Sequence, residues 1–146
     1  MALSEYHACD SRNAYPGEII LSEYGNRIRS CQENIDLDFQ ESDFHNYQFL
    51  DILRGRKMNQ FNGFRQLKSN KNSKVLIIIT SHGGENFIKV RNSLVVLSDE
   101  LNRTLNEMYI KGMYKELLFI VDTCEGYSLY KNVKVPNIYF ISSSAL

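Results

Sequence analysis

Two runs of apolar residues dominate the hydrophobic pattern of the chain, one over residues 74–80 and one over residues 116–122. Short apolar runs bounded by turn residues are typical of strands buried on both faces of a sheet. Residues 98–111, between the two runs, have apolar positions at helical spacing, which predicts an amphipathic helix. The order strand–helix–strand predicts that the two strands are parallel, since a parallel pair needs a crossover connection.

Shorter patterns predict the remaining elements. Ser42 is placed to cap a helix that reaches Arg54, and Ser98 is placed to cap the helix over 98–111. The other predicted elements are a strand over 35–39, a hairpin of 87–90 with 94–96, a short helix over 127–133 and a third buried strand over 137–142, with loops over 10–17 and 55–73.

Length and composition narrow the class of protein. At 146 residues the chain is predicted to be a single α/β domain over 1–146. Its 17 acidic and 17 basic residues balance, so no electrostatic field favours nucleic acid as a partner. No apolar run approaches the roughly 20 residues that span a bilayer, and residues 1–6 lack the features of a signal peptide. Three cysteines cannot all pair internally, which leaves a free thiol, an intermolecular bridge or a reducing compartment.

A histidine and a cysteine directly follow the two long strands. Since the carboxyl ends of neighbouring parallel strands meet at one edge of a sheet, His82 and Cys124 should lie close together and suit a Cys–His nucleophilic pair. Alone, a cysteine at a strand end is usually a small buried hydrophobe. Here Gly83 and Gly84 let backbone amides approach a substrate, and a helix beginning after Cys124 would favour the thiolate. Zinc is disfavoured, because no Cys-x-x-Cys pair exists.

Three carboxylates are further candidates. Asp122 lies two residues before Cys124, so it either selects the substrate or caps the following turn, and the spacing leaves both readings open. Asp36 and Asp38 would share one face of a strand and could bind a hard cation such as calcium, although solvated charges are the commoner explanation.

Around these residues the chain resembles the GPI-transamidase branch of the legumain-type cysteine peptidases, in the caspase-like clan. Residues 81–84 read Ser-His-Gly-Gly where that family has Gly-His-Gly-Gly. Residues 116–124 begin with Glu-Leu-Leu and end with Asp-Thr-Cys, as in the family, whereas asparaginyl endopeptidases usually have Glu-Ala-Cys. Residues 8–17 match the family pattern Ala-Cys-x-x-Arg-Asn-x-x-Pro-Gly, and 35–39 and 49–56 follow in the family's order.

This resemblance implies a three-layer, caspase-like α/β fold with a mostly parallel central sheet, shortened at both ends relative to the family. It implies that Cys124 is the nucleophile and His82 the general acid and base. The N–H groups of Gly83 and Cys124 would bind the oxyanion, and Asp122 and Ser142 would line the substrate pocket.

Further binding roles follow from the same resemblance. Cys9 matches a cysteine that bridges to a partner subunit, and Asp36 and Asp38 match positions of a structural calcium site. The chemistry itself would need no cofactor.

The function implied is cleavage of the C-terminal GPI-attachment signal of precursor proteins through a thioester. The new C-terminus would then pass to the ethanolamine phosphate amine of a GPI lipid. This would take place on the lumenal face of an endoplasmic reticulum membrane complex, together with the other transamidase subunits. Two alternatives remain: a legumain-like asparaginyl endopeptidase, in which water resolves the thioester, and an inactive, truncated remnant that acts only as a subunit of the complex.

Overall fold

The structure is a computed structural model, and it describes residues 3–4, 11–20, 22, 24–25, 27–29, 39–40, 48–56, 66–91 and 94–145. The chain divides into two compact units, Met1–Phe44 and His45–Leu146. Of the predicted helix over 42–54, the structure describes only the part from Gln48 onward. Of the predicted loop over 55–73, it describes only the two ends.

The first unit contains two short pairs of strands: β1 (Leu3–Ser4) runs parallel to β4 (Phe39–Gln40), and β2 (Glu18–Ile20) runs antiparallel to β3 (Arg27–Arg29). Ahead of β2, the side chain of Asn13 accepts the Tyr15 N–H at 3.1 Å and donates to the Glu18 carbonyl at 3.1 Å. Such side-chain bonds to nearby backbone stabilise turns, and the loop predicted over 10–17 is confirmed from residue 11 onward.

The second unit carries the predicted strand–helix–strand core. Its elements in chain order are α1 (Gln48–Leu53), β5 (Lys74–Thr80), β6 (Gly83–Gly84), β7 (Phe87–Arg91), β8 (Leu94–Leu97), α2 (Ser98–Ile110), β9 (Glu116–Asp122), a 3₁₀ helix (Gly126–Leu129) and β10 (Ile138–Ser142). Strands β10, β9 and β5 form a parallel sheet in that order. The predicted α/β class with a mostly parallel sheet is confirmed.

Helices α1 and α2 cover one face of this sheet. Leu101, Leu105 and Met108 of α2 are at most 1% exposed and pack in one cluster with Phe119 of β9. The helix ends where Gly112 adopts a φ of 61°, a conformation that disfavours other residues. The α2 segment thus buries the apolar stripe that its sequence predicts.

The opposite face of the sheet is exposed, and the prediction of strands buried on both faces is wrong. Exposed apolar side chains on β5 and β10 alternate with buried ones, and they are Leu76 (58%), Ile78 (61%), Tyr139 (63%) and Ile141 (53%). The reason is that the described helices pack on one face only, and side chains along a strand point alternately to the two faces. The half-buried Leu118 and Ile120 of β9 belong to the same exposed face.

Strands β6, β7 and β8 form a separate antiparallel sheet that leads into α2. The hairpin predicted from 87–90 and 94–96 is confirmed as β7 and β8, with a register shift between Lys89 and Arg91. The predicted cap of α2 is wrong by one position: the helix already begins at Ser98, whose N–H donates to the Asn86 carbonyl at 2.8 Å. The capping position is taken by Leu97, and its N–H donates to the Glu100 carboxylate at 3.3 Å.

A cluster of charges joins the C-terminal ends of α1 and α2. Glu107 of α2 pairs with Arg54 at 3.0 Å, with Arg56 at 3.6 Å and with Lys111 at 2.7 Å. The hydrogen bond from Lys111, aided by the charges of all three cations, lowers the pKa of Glu107. Nearby, burial raises the pKa of Tyr114 to about 12, and its hydroxyl donates to the Pro136 carbonyl at 3.2 Å.

No helix in the described part of the chain is long and apolar enough to cross a membrane.

Candidate active site

The pairing of β5 with β9 fixes the relative position of the two reactive residues. The strands pair in parallel along their whole length, and their last pair is Thr80 opposite Asp122. His82 and Cys124 each lie two residues beyond that pair, so equal offsets bring them to the same edge of the sheet. The Ser81 N–H donates to the Asp122 carbonyl at 3.0 Å and extends the pairing beyond the strand ends. Both reactive side chains are exposed.

Strand β7 holds the backbone of the histidine loop, which is the segment 81–86 between β5 and β7. The His82 carbonyl accepts the Lys89 N–H at 2.9 Å, and the Ser81 hydroxyl donates to the Lys89 carbonyl. Directly afterwards, β6 pairs with β7 through a tight turn at Asn86, whose φ is 63°. Asparagine tolerates this left-handed conformation better than most residues do. His82 therefore lies directly before a hairpin that backbone hydrogen bonds hold in place. Strand β6 of this hairpin was not predicted from the sequence.

The cysteine loop, which is the segment 123–129, turns sharply after β9. Glu125 adopts a left-handed conformation with a φ of 51°, and the 3₁₀ helix begins at Gly126. A Cβ atom at Gly126 would lie 2.3 Å from the Ser142 hydroxyl, so the close approach of β10 requires glycine here. The helix predicted over 127–133 is thus a single 3₁₀ turn, and it carries little of the dipole that a longer helix would offer Cys124.

Gly83 and Thr123 bring the two loops into direct contact. A Cβ atom at Gly83 would lie 2.3 Å from Thr123 Oγ1, 3.0 Å from the Phe87 carbonyl oxygen and 3.2 Å from the Cys124 carbonyl oxygen. Thr123 is 6% exposed, and its buried Oγ1 has no hydrogen-bond partner within the described structure. The histidine loop packs against the cysteine loop at a distance that only glycine allows.

Ser128 links the same two loops by hydrogen bonds. It lies in the 3₁₀ helix, is 1% exposed, and its Oγ accepts the Asn86 N–H at 2.7 Å. The same hydroxyl is 3.4 Å from the Gly84 carbonyl oxygen, to which it donates. One buried side chain after the cysteine therefore fixes the turn after the histidine.

Replacing Gly83 with alanine is expected to destabilise the protein by about 1–3 kcal/mol, the usual cost of overpacking. Two of its three close neighbours are backbone carbonyls. The Phe87 carbonyl cannot move without disturbing the pairing of β6 with β7, and the Cys124 carbonyl cannot move without separating the two loops. Gly84→Ala is the matched control: its nearest atoms, at 2.7 and 2.9 Å, belong to the Phe87 ring, which can rotate away. Urea unfolding of both variants measures the difference, and an equal loss in both would contradict this description of the loop contact.

The two predicted pocket residues occupy different surroundings. Asp122 is exposed at the end of β9, on the same sheet edge as Cys124. Ser142 ends β10, and its hydroxyl is engaged within its own loop, where it donates to the Ser144 carbonyl at 2.9 Å.

Three predicted site residues lie outside the described residues: Cys9, Asp36 and Asp38. Their predicted roles, a bridge to a partner subunit and a calcium site, stay predictions. Within the part of the chain that the structure describes, no group of three or more His, Cys, Asp or Glu side chains could hold a metal ion.

The polar residues that hold the two loops together are not predicted by the sequence. Thr123, Ser128 and Ser144 contact partners in other loops rather than within their own elements. A weak signal exists for the first two, since Thr123 and Ser128 lie within three residues of Gly126. Only the fold reveals which partners they meet.

Comparison with known proteins shows the family of the chain. The model of the Peptidase C13 family matches residues 4–146. The chain belongs to the peptidase C13 family. The chain is 32% identical over 144 residues to the GPI-anchor transamidase of Mus musculus and 31% identical over 147 residues to that of Schizosaccharomyces pombe. It is 27% identical over 146 residues to the GPI-anchor transamidase of Saccharomyces cerevisiae.

These matches cover 99–100% of this chain but only 35–38% of the three relatives, so it spans less than two fifths of their length. The resemblance to the GPI-transamidase branch inferred from the sequence is confirmed. Within the peptidase C13 family, the sheet edge that carries His82 and Cys124 is the candidate active site.

Proposed function

We propose that this member of the peptidase C13 family transfers protein C-termini from their GPI-attachment signals to the amine of a GPI lipid. One observation carries the proposal: the in-register pairing of Thr80 with Asp122, which sets His82 and Cys124 at equal offsets beyond neighbouring strands. The three GPI-anchor transamidases to which the chain is similar support the choice of reaction.

In the first half of the reaction, His82 takes the proton of the Cys124 thiol. The thiolate attacks the carbonyl carbon of the peptide bond at the anchor site, a carbon–sulfur bond forms, and the negative charge moves to the carbonyl oxygen. The N–H groups of Gly83 and Cys124 stabilise this oxyanion. The carbon–nitrogen bond then breaks, and His82 returns the proton to the leaving amine of the signal peptide.

The second half resolves the thioester. The ethanolamine phosphate amine attacks the thioester carbonyl, His82 accepts a proton from that amine, and the carbon–sulfur bond breaks. The proton returns to Cys124, and an amide joins the protein to the lipid. All atoms are accounted for without a cofactor.

Other residues of the chain would determine substrate specificity and the assembly of the complex. Asp122 and Ser142 line the substrate pocket in this proposal, and Cys9 forms the bridge to another subunit of the transamidase complex. Calcium at Asp36 and Asp38 would have a structural role. The complex would act at the lumenal face of the endoplasmic reticulum membrane, where precursor proteins and GPI lipid meet.

A nucleophile-partition assay tests the reaction type. The 146-residue chain is incubated with a synthetic peptide that carries a C-terminal GPI signal, in the presence of increasing hydrazine as a substitute for the lipid amine. We expect the peptide hydrazide to replace the free acid as hydrazine rises, because the amine competes with water for the thioester. Mass spectrometry separates the two products.

Formation of the free acid alone, at every hydrazine concentration, would instead indicate a hydrolytic endopeptidase. If neither product forms, the proposal is wrong for this chain. The same assay without enzyme gives the background rate of each product.

A further inference from the structure

The loop after β10 forms hydrogen bonds with the backbone on both sides of Cys124. The Ser144 hydroxyl donates to the Thr123 carbonyl at 2.5 Å, and its oxygen accepts the Gly126 N–H at 3.1 Å. These two backbone groups bracket Cys124 and the left-handed Glu125. The Ser144 side chain therefore forms a hydrogen bond with one group of each of the two peptide units that flank the turn.

The bond to the Thr123 carbonyl also sets the direction of the next N–H group. A trans peptide unit is planar, so its C=O and its N–H point in opposite directions. Since the Thr123 carbonyl and the Cys124 N–H share one such unit, a carbonyl held towards Ser144 turns the Cys124 N–H away from Ser144. That N–H is one of the two proposed oxyanion donors.

Ser144 is itself held rigidly. Its N–H donates to Ser142 Oγ at 3.3 Å, and its carbonyl accepts both that hydroxyl at 2.9 Å and the Tyr127 N–H at 3.2 Å. The preceding Ser143 N–H donates to the Val121 carbonyl at 3.1 Å, which continues the pairing of β10 with β9. A group fixed in this way can orient another without reorganising during the reaction.

We propose that Ser144 is a positioning residue that orients the Cys124 N–H towards the oxyanion. The inference rests on the proposed function of Cys124 and adds to it a residue that touches neither thiol nor substrate in the reaction. Ser144 acts through the Thr123–Cys124 peptide unit, so it should matter only for reactions that develop charge on a carbonyl oxygen.

Two reagents separate this role from general support of the fold. 4-Nitrophenyl acetate transfers an acetyl group to the thiolate through a tetrahedral oxyanion and releases 4-nitrophenolate. Iodoacetamide alkylates the same sulfur by displacement of iodide, with no oxyanion. Peptide mass spectrometry of the 146-residue chain gives both rates at each cysteine, so Cys9 and Cys31 serve as internal references.

For Ser144→Ala we expect acetylation of Cys124 to slow by about tenfold, less than the roughly 10²–10³-fold loss when an oxyanion donor is removed outright. Alkylation of Cys124 should change by less than about twofold, because displacement of iodide needs no oxyanion donor. Ser144→Thr keeps the hydroxyl and should restore acetylation. Ser143→Ala is the matched control, because Ser143 is exposed and contributes its backbone to the pairing.

An equal loss in both reactions, or no loss in either, would overturn the role of Ser144 and leave the nucleophile in place. Failure of the threonine variant to restore acetylation would also count against it. A wild-type chain in which Cys124 is acetylated no faster than Cys9 and Cys31 would overturn the proposed function, and the inference with it.

Discussion

Cys124→Ala is expected to reduce amine-dependent cleavage of a GPI-signal peptide by at least about 10⁴-fold, since removal of a nucleophile abolishes the covalent route. The residual rate of cleavage should be the small rate that substrate binding alone provides when no nucleophile is present. Because Cys124 is exposed at the end of a strand, alanine removes no buried contact, and the fold should persist. The hydrazide assay measures the loss, and thermal unfolding checks that the variant is folded.

The chain supplies its own controls for this experiment. Cys9→Ala and Cys31→Ala remove the two remaining thiols one at a time. Each variant should form the hydrazide at a rate within about twofold of that of the wild-type chain, because neither cysteine follows β5 or β9 in the sequence. Retention of activity in Cys124→Ala would show that another group is the nucleophile. Equal losses in all three variants would point to an indirect effect of thiol removal.

Much of the fold could be predicted because its strongest signals are local. The bounds of β5 and β9 follow directly from the apolar runs, and α2 follows from its helical spacing. Parallel pairing follows from the crossover helix between the strands. The sequence alone therefore predicts that His82 and Cys124 lie at one sheet edge, since each follows its strand by the same number of residues.

What the sequence could not predict depends on contacts between distant segments. A continuous apolar run such as Val75–Ile79 has the same pattern whether one face or both faces are covered, so the exposure of Leu76 and Ile78 came only from the fold. Similarly, Ser128 and Ser144 are ordinary polar residues in sequence. Their partners, Asn86 and Thr123, lie 42 and 21 positions away.

The shorter helix after Cys124 has a comparable cause. The sequence predicts a short helix over 127–133, but the chain leaves the 3₁₀ helix after Leu129. The Tyr130 ring stacks on Phe140 with centroids 4.6 Å apart, so packing against β10 determines where this segment turns. Tertiary contacts here override local propensity.

His82→Gln is expected to slow the acetylation of Cys124 by about 10²–10⁴-fold, the usual contribution of a general base. Glutamine keeps most of the side-chain volume and hydrogen-bonding capacity but cannot accept the thiol proton. Its backbone contacts, through the His82 carbonyl to Lys89, are retained. His7→Gln and His45→Gln are the matched controls, because they make the same substitution at the other two histidines of the chain.

Whether His82 and Cys124 act as one pair can be measured by comparing the rate of Cys124 acetylation in the wild type with that in His82→Gln. The three cysteines are followed separately by mass spectrometry in each protein. We expect that only Cys124 slows, by at least about 10²-fold, while Cys9 and Cys31 react at unchanged rates. Equal rates at Cys124 in the two proteins would contradict the pair.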